Sequence, residues 1–231
     1  MILKPILFNT EMAKALVAGT KTATRRMVKG QHPDWVLKGL EEDPAITRIS
    51  SSGIECPVTV PGLHATFWQD GSPEFSVIKA PYEPGDILYV RETWYKDVNR
   101  FMYRASYSDD ERFYRNGKEV KIRWFPSIHM PKEAARIFLR VTDIQVGRLQ
   151  DITQLQAHME GQPACTGNMA MCGGPGSCKD CVAGYENAIR WFARVWDTTI
   201  KPADQARCGC DANPWVWAIS FERISREEAF R

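Results

Sequence analysis

The sequence predicts an α+β fold, a small β-barrel of short strands with two or three helices set between them. Three observations carry that reading. Short apolar runs rich in β-branched and aromatic residues recur between Gly, Pro and Asn turns. Other stretches switch to helical spacing. The longest strand-like run, Ile137 to Leu149, changes the parity of its apolar residues midway, as a bulged barrel wall does.

Lys4 to Asn9 reads as a short apolar strand leading into a first helix. Thr10 is placed to cap that helix, Met12, Leu16 and Val17 share a face, and Gly19 falls where a left-handed C-cap is expected. From Thr22 to Met27 a strand would point Thr22, Thr24 and Arg26 one way and Ala23 and Arg25 the other, with Lys21 at the bend. Residues 29 to 84 are punctuated by prolines and leave room for short strands but hold no long periodic element, so they read as an elaborated insertion. Ile87 to Tyr95 and Tyr103 to Tyr107 read as strands, and Asn116-Gly117 signals a type I′ hairpin. Pro126 to Pro131 must be a loop. A second helix starts at Thr153 with Gln156 completing a capping box, and it ends near Glu160-Gly161. A third runs from about Val182 to Thr199, with Val182, Tyr185, Ile189, Phe192, Val195 and Trp196 at helical spacing. Trp215 to Ile224 closes the chain as a strand.

Composition excludes several classes. The net charge of +2 does not mark a protein that coats nucleic acid, so any basic patch is local. No apolar run approaches the ~18 residues of a membrane helix, and the start at Met1 lacks a secretory signal pattern. The cytoplasm is the expected compartment, with no membrane partner. There is no phosphate loop, dinucleotide glycine fingerprint or nucleophile elbow.

Three constellations remain. In Gly19-Thr20-Lys21-Thr22-Ala23-Thr24-Arg25-Arg26 an ammonium, a hydroxyl and a guanidinium can converge, which suits an anionic or carbonyl-bearing ligand. The plain alternative is a β-branched strand whose cations complement a helix C-terminus. Glu160 opposes the macrodipole of its own helix, so it is either solvated or offset by a cation such as Lys21.

The cysteines form the second. Of the 7 in the chain, Cys56 stands alone. Cys165, Cys172, Cys178 and Cys181, with Cys208 or Cys210 nearby, read either as a structural zinc site or as free thiols in a loop. The third interleaves arginine and aromatics between residues 98 and 124, among them Arg100, Arg104 and Arg115. It is a base-stacking surface or a two-faced hairpin with one side in the core.

Several of these segments resemble the ASCH domain of the PUA-like superfamily: Gly19-x-Lys21-Thr22-x-Thr24-x-Arg26, the strand Pro84 to Val90, and the terminal strand Trp215 to Glu222. Lys4 to Thr10, Val90 to Trp94 and Pro126 to Pro131 look like its longer, phage- and prophage-associated branch. The resemblance frames nearly the whole chain and implies a single domain over residues 1–231. The fold it implies is a PUA-like (ASCH) small β-barrel with flanking helices and loop-rich insertions at about 29–84 and 162–181. It also implies an activity, since small bacterial ASCH enzymes that deacetylate N4-acetylcytidine share the first motif. Their catalytic lysine and threonine fall on Lys21 and Thr24. Their glutamate, eleven residues after the leucine that ends the long central strand, falls on Glu160 when counted from Leu149.

Thr22, Arg26 and Glu92 would then serve substrate binding, and catalysis would need no cofactor. The implied partner is a small-molecule nucleoside or RNA. Either Thr24 attacks the amide carbonyl with Lys21 as base, or Glu160 activates water and Thr24 orients it. Other members of the superfamily bind RNA or modified bases without hydrolysis, which is the alternative function.

Overall fold

The computed structural model describes residues 3–49, 55–69, 75–98, 100–162 and 179–231, with 45–49, 55–58 and 179–187 described through their backbone. The chain begins β1 (Leu3–Leu7), α1 (Thr10–Val17), β2 (Ala23–Met27), β3 (Trp35–Glu42), β4 (Ala45–Ile49), β5 (Glu55–Thr59) and β6 (Leu63–Gln69). It continues β7 (Phe75–Lys79), β8 (Ile87–Arg91), β9 (Trp94–Lys96), β10 (Phe101–Tyr103), β11 (Phe113–Arg115) and β12 (Lys118–Val120). It ends β13 (Phe138–Arg148), α2 (Gln154–Met159), α3 (Lys179–Thr199), α4 (Gln205–Cys208), β14 (Trp215–Ile224) and α5 (Arg226–Ala229). The fold is α+β, mostly sheet. Among the described residues no helix is long and apolar enough to cross a membrane.

A five-stranded sheet in the order β1-β8-β13-β14-β2 organises the molecule, with β1 and β8 parallel and the other pairs antiparallel. The 11-residue β13 and 10-residue β14 form its spine. The parity change read from the sequence is a bulge, where the register shifts between Val141 and Asp143. The sheet is open rather than a closed barrel, because among the described residues no ladder joins β1 to β2.

Inward residues of this sheet, including Ile6, Leu88, Val90, Leu139, Val141, Trp217, Ile219 and Phe221, build the main core. Residues 29 to 84 hold strands that the sequence reading left open, among them the eight-residue β3 and the seven-residue β6. These pair with β7 in a second sheet, and most of the prolines fall between the strands. That sheet is docked on the core: Trp35 stacks on Phe67 at 4.9 Å, and Phe67 meets Trp215 edge-on at 5.2 Å. Phe67 is fully buried, so its truncation to alanine costs about 3–5 kcal/mol.

The cap of α1 is Asn9, not Thr10, since the Asn9 side chain accepts the Met12 amide. Leu16 and Ala13 are the buried positions, while Val17 is exposed. Gly19 does adopt the left-handed conformation, with φ +76°. The run Ile87 to Tyr95 breaks at Glu92-Thr93, because Trp94 leaves the main sheet to pair with Tyr103. Tyr103 ends β10, and Arg104–Ser106 turns as a short 3₁₀ helix instead of continuing as strand. Asn116 and Gly117 both have positive φ and join β11 to β12, with Arg115 opposite Lys118, as the hairpin signal predicts. Thr153 caps α2 through the expected capping box with Gln156. Along α3, Phe192 and Trp196 are buried, whereas Ile189 is exposed.

Candidate active site

Gly19 turns the chain out of α1, and the Lys21 amide bonds back to the Ala15 carbonyl. Lys21 then forms an antiparallel bridge with Glu160, and the next amide, Thr22, donates to the Met159 carbonyl at 2.8 Å. This backbone pairing brings together two residues 139 apart in sequence. The Lys21 ammonium donates to both the carbonyl and the Oε2 of Glu160, each at 2.8 Å. Both residues are buried, at 3% and 5% exposure.

Glu160 caps the C-terminus of α2, the end a carboxylate disfavours. Two cations offset that penalty. Lys21 is one. Arg25 is the other, donating to Glu160 Oε1 at 3.1 Å and to Gln156 Oε1 at 2.9 Å. Gln156 Oε1 also accepts the Thr153 amide, so one side chain ties the start of α2 to the arginine that holds its end. The sequence reading named Lys21 as the offsetting cation and gave Arg26 to substrate binding. Arg26 instead points to β1, donating to the Leu7 carbonyl and lying 5.1 Å from the centre of the Phe8 ring. Lys21 lies over the same ring at 5.6 Å. Phe8 is thus held by two cations, a favourable contact for an aromatic face.

Burial pushes the Lys21 ammonium below the ordinary lysine value, and this outweighs the opposing pull of Glu160. The neighbouring arginines add to the depression. Burial likewise lowers Arg26, and it raises the Tyr82 phenol, whose hydroxyl donates to the Pro5 carbonyl.

These groups open into a cavity of about 160 Å³. Leu7, Phe8, Asn9 and Met12 come from β1 and α1, while Thr24, Arg25 and Arg26 come from β2. Lys21 and Glu160 supply its buried polar end. Trp191, Phe192, Val195, Trp196 and Thr199 line it from α3. The volume is below the ~300–1,000 Å³ of pockets for drug-sized ligands, so the cavity encloses only the reacting part of a larger ligand, such as a flat ring with a short chain. Thr24 lines it, and its hydroxyl makes no hydrogen bond among the described residues. With three cations against one carboxylate, the lining favours an electron-rich or carbonyl-bearing ligand.

Two expected binding residues lie elsewhere. Thr22 does not line the cavity, and its carbonyl accepts the Phe221 amide in the sheet. Glu92 is buried away from the cavity and held bidentately by Arg136 at 2.8 and 2.9 Å. Cys165, Cys172 and Cys178 fall outside the described residues, and Cys181 is described through its backbone alone. Cys208 and Cys210 are free thiols. Burial raises the Cys210 thiol, and the neighbouring Asp197 and Asp211 carboxylates add to the shift. Among the described residues no three His, Cys, Asp or Glu side chains group around a metal position.

In the arginine-aromatic segment, Tyr107, Phe113 and Trp124 pack on one another. Four of its arginines face acidic neighbours: Arg104 on Asp109, Arg112 on Glu119, and Arg100 and Arg115 on Asp97.

Sequence reasoning missed Phe8, Arg25, Gln156 and the α3 wall. The signal for the wall was present, because Trp191, Val195 and Thr199 are spaced one helical turn apart. No family model, curated protein or solved structure matches this chain.

Proposed function

We propose that this chain is an amidohydrolase acting on N4-acylated cytosine nucleosides, converting N4-acetylcytidine to cytidine and acetate. One observation carries the reading: a buried lysine-glutamate pair shares its cavity with a threonine hydroxyl that has no protein partner among the described residues. The resemblance of Gly19-x-Lys21-Thr22-x-Thr24-x-Arg26 to ASCH deacetylases supports the same chemistry, and the mixed α+β fold is compatible with a domain of that kind although its main sheet is open.

In this reading Thr24 Oγ attacks the amide carbonyl and its proton passes to Lys21. A lysine depressed by burial is neutral more often than an exposed one, which is the form a base requires. Negative charge on the carbonyl oxygen develops in a cavity lined by Arg25 and Arg26. The C–N bond then breaks, N4 takes the proton from Lys21, and cytidine leaves. Water cleaves the threonine ester, releasing acetate and restoring the hydroxyl. Both Glu160 oxygens already accept cations, Oε2 from Lys21 and Oε1 from Arg25. A water activated by Glu160 would have to compete with both, which favours attack by Thr24.

The test is product analysis after incubation with N4-acetylcytidine. Wild type should yield cytidine and acetate in equal amounts, and a folded Lys21→Ala variant should yield neither. Normal turnover by that variant would remove Lys21 from the chemistry. Binding of N4-acetylcytidine by wild type without turnover would favour a reader of modified bases.

A further inference from the structure

The cavity has two chemically different ends, and the scissile amide of an acylcytosine has two chemically different substituents. Lys21, Thr24, Arg25 and Glu160 form the polar end. A second wall belongs to α3 and is apolar apart from Thr199, with Phe192 lying under the Arg25 guanidinium at 5.7 Å. Within it, Phe192 and Trp196 are buried and pack with Leu149, Ile152 and Ala157, so they fasten the helix to the body of the protein. Val195 lines the cavity, is half-buried, and takes no part in that packing. It can change size without unfastening α3.

Cytosine and its ribose carry carbonyl, ring-nitrogen and hydroxyl groups. Each costs free energy if buried against hydrocarbon without a hydrogen bond. An acyl chain carries none beyond the carbonyl itself. Asn9 and Arg26 lie on the β1–β2 side of the cavity, where a base and sugar find polar partners. We propose that the α3 wall, through Val195, receives the acyl substituent and sets the length of chain the protein accepts. This rests on the amidohydrolase reading and extends it from the reaction to the choice of acyl group.

The experiment compares kcat/KM for N4-acetylcytidine and N4-butyrylcytidine in wild type, Val195→Ala and Val195→Phe, with melting curves confirming that each variant is folded. A single methylene in an apolar pocket discriminates by about 10–200-fold. Val195→Ala should therefore raise the butyryl-to-acetyl ratio about tenfold or more, and Val195→Phe should lower it. Two variants moved in opposite directions cannot be explained by a general loss of packing. Turnover with the ratio unmoved in both folded variants overturns the assignment of the acyl site and leaves the reaction standing. A wild type inert towards both substrates overturns the amidohydrolase reading, and this inference with it.

Discussion

Arg26 Nη2 donates to the Leu7 carbonyl at 2.6 Å, joining the two outermost strands of the five-stranded sheet. Where a closed barrel would run a ladder between β1 and β2, this molecule has a side-chain clasp. The candidate site opens in that seam, with Phe8 on one side and Thr24 on the other.

The clasp has a measurable strength. Arg26→Ala removes a charge-assisted hydrogen bond and one of the two cations on Phe8. Because Leu7 is 40% exposed, the loss should sit low in the usual range, at about 1–2 kcal/mol. Urea unfolding should show a lowered midpoint with an unchanged slope, and an unchanged midpoint would mean that the edges are held by packing alone.

Gly161 is the tighter of two left-handed glycines near the site. Its φ is +96°, and a Cβ there would lie 2.9 Å from the Ala15 side chain and 3.1 Å from that of Lys21. Gly19, at φ +76°, would meet nothing within 4 Å. Gly19→Ala should cost about 1 kcal/mol, from backbone strain alone. Gly161→Ala should cost more and should also displace Lys21, impairing turnover where Gly19→Ala does not. Equal effects of the two substitutions on stability and rate would argue against the close packing of Gly161 on Lys21.

The pH dependence follows from the burial of Lys21. Its charge is present below its pKa and lost as pH rises through it. Because that pKa is depressed from 10.5, a rate that needs the neutral amine should climb below the ordinary lysine range. Glu160 opposes the depression, so Glu160→Gln should move the Lys21 titration to still lower pH. Lysine-selective NMR of the Nζ resonance reads both shifts without relying on turnover. A Lys21 that titrates at the ordinary lysine value in wild type would contradict the assignment of a base.

Local chemistry made much of the fold legible. Gly19, the Thr153–Gln156 box and Asn116-Gly117 act through neighbours in sequence, and each forms as its pattern predicts. The proximity of Lys21 to Glu160 was foreshadowed by a carboxylate placed against its helix dipole. What stayed hidden depends on tertiary choice. Strand parity separates Arg25 from Arg26, but it cannot say which of them meets α2 and which meets β1. Glu92 lies 44 residues from Arg136, and nothing local announces their pairing. The strand from Ile87 breaks because Trp94 finds a partner in Tyr103, a contact its own apolar pattern does not encode.

The most direct measurement follows the ultraviolet absorbance of N4-acetylcytidine with wild type beside Thr24→Ala, their circular dichroism spectra being matched first. Loss of the substrate band with wild type, and none with Thr24→Ala, is the predicted result. Equal loss with both proteins would contradict it, because the hydroxyl at the centre of the site would then be dispensable.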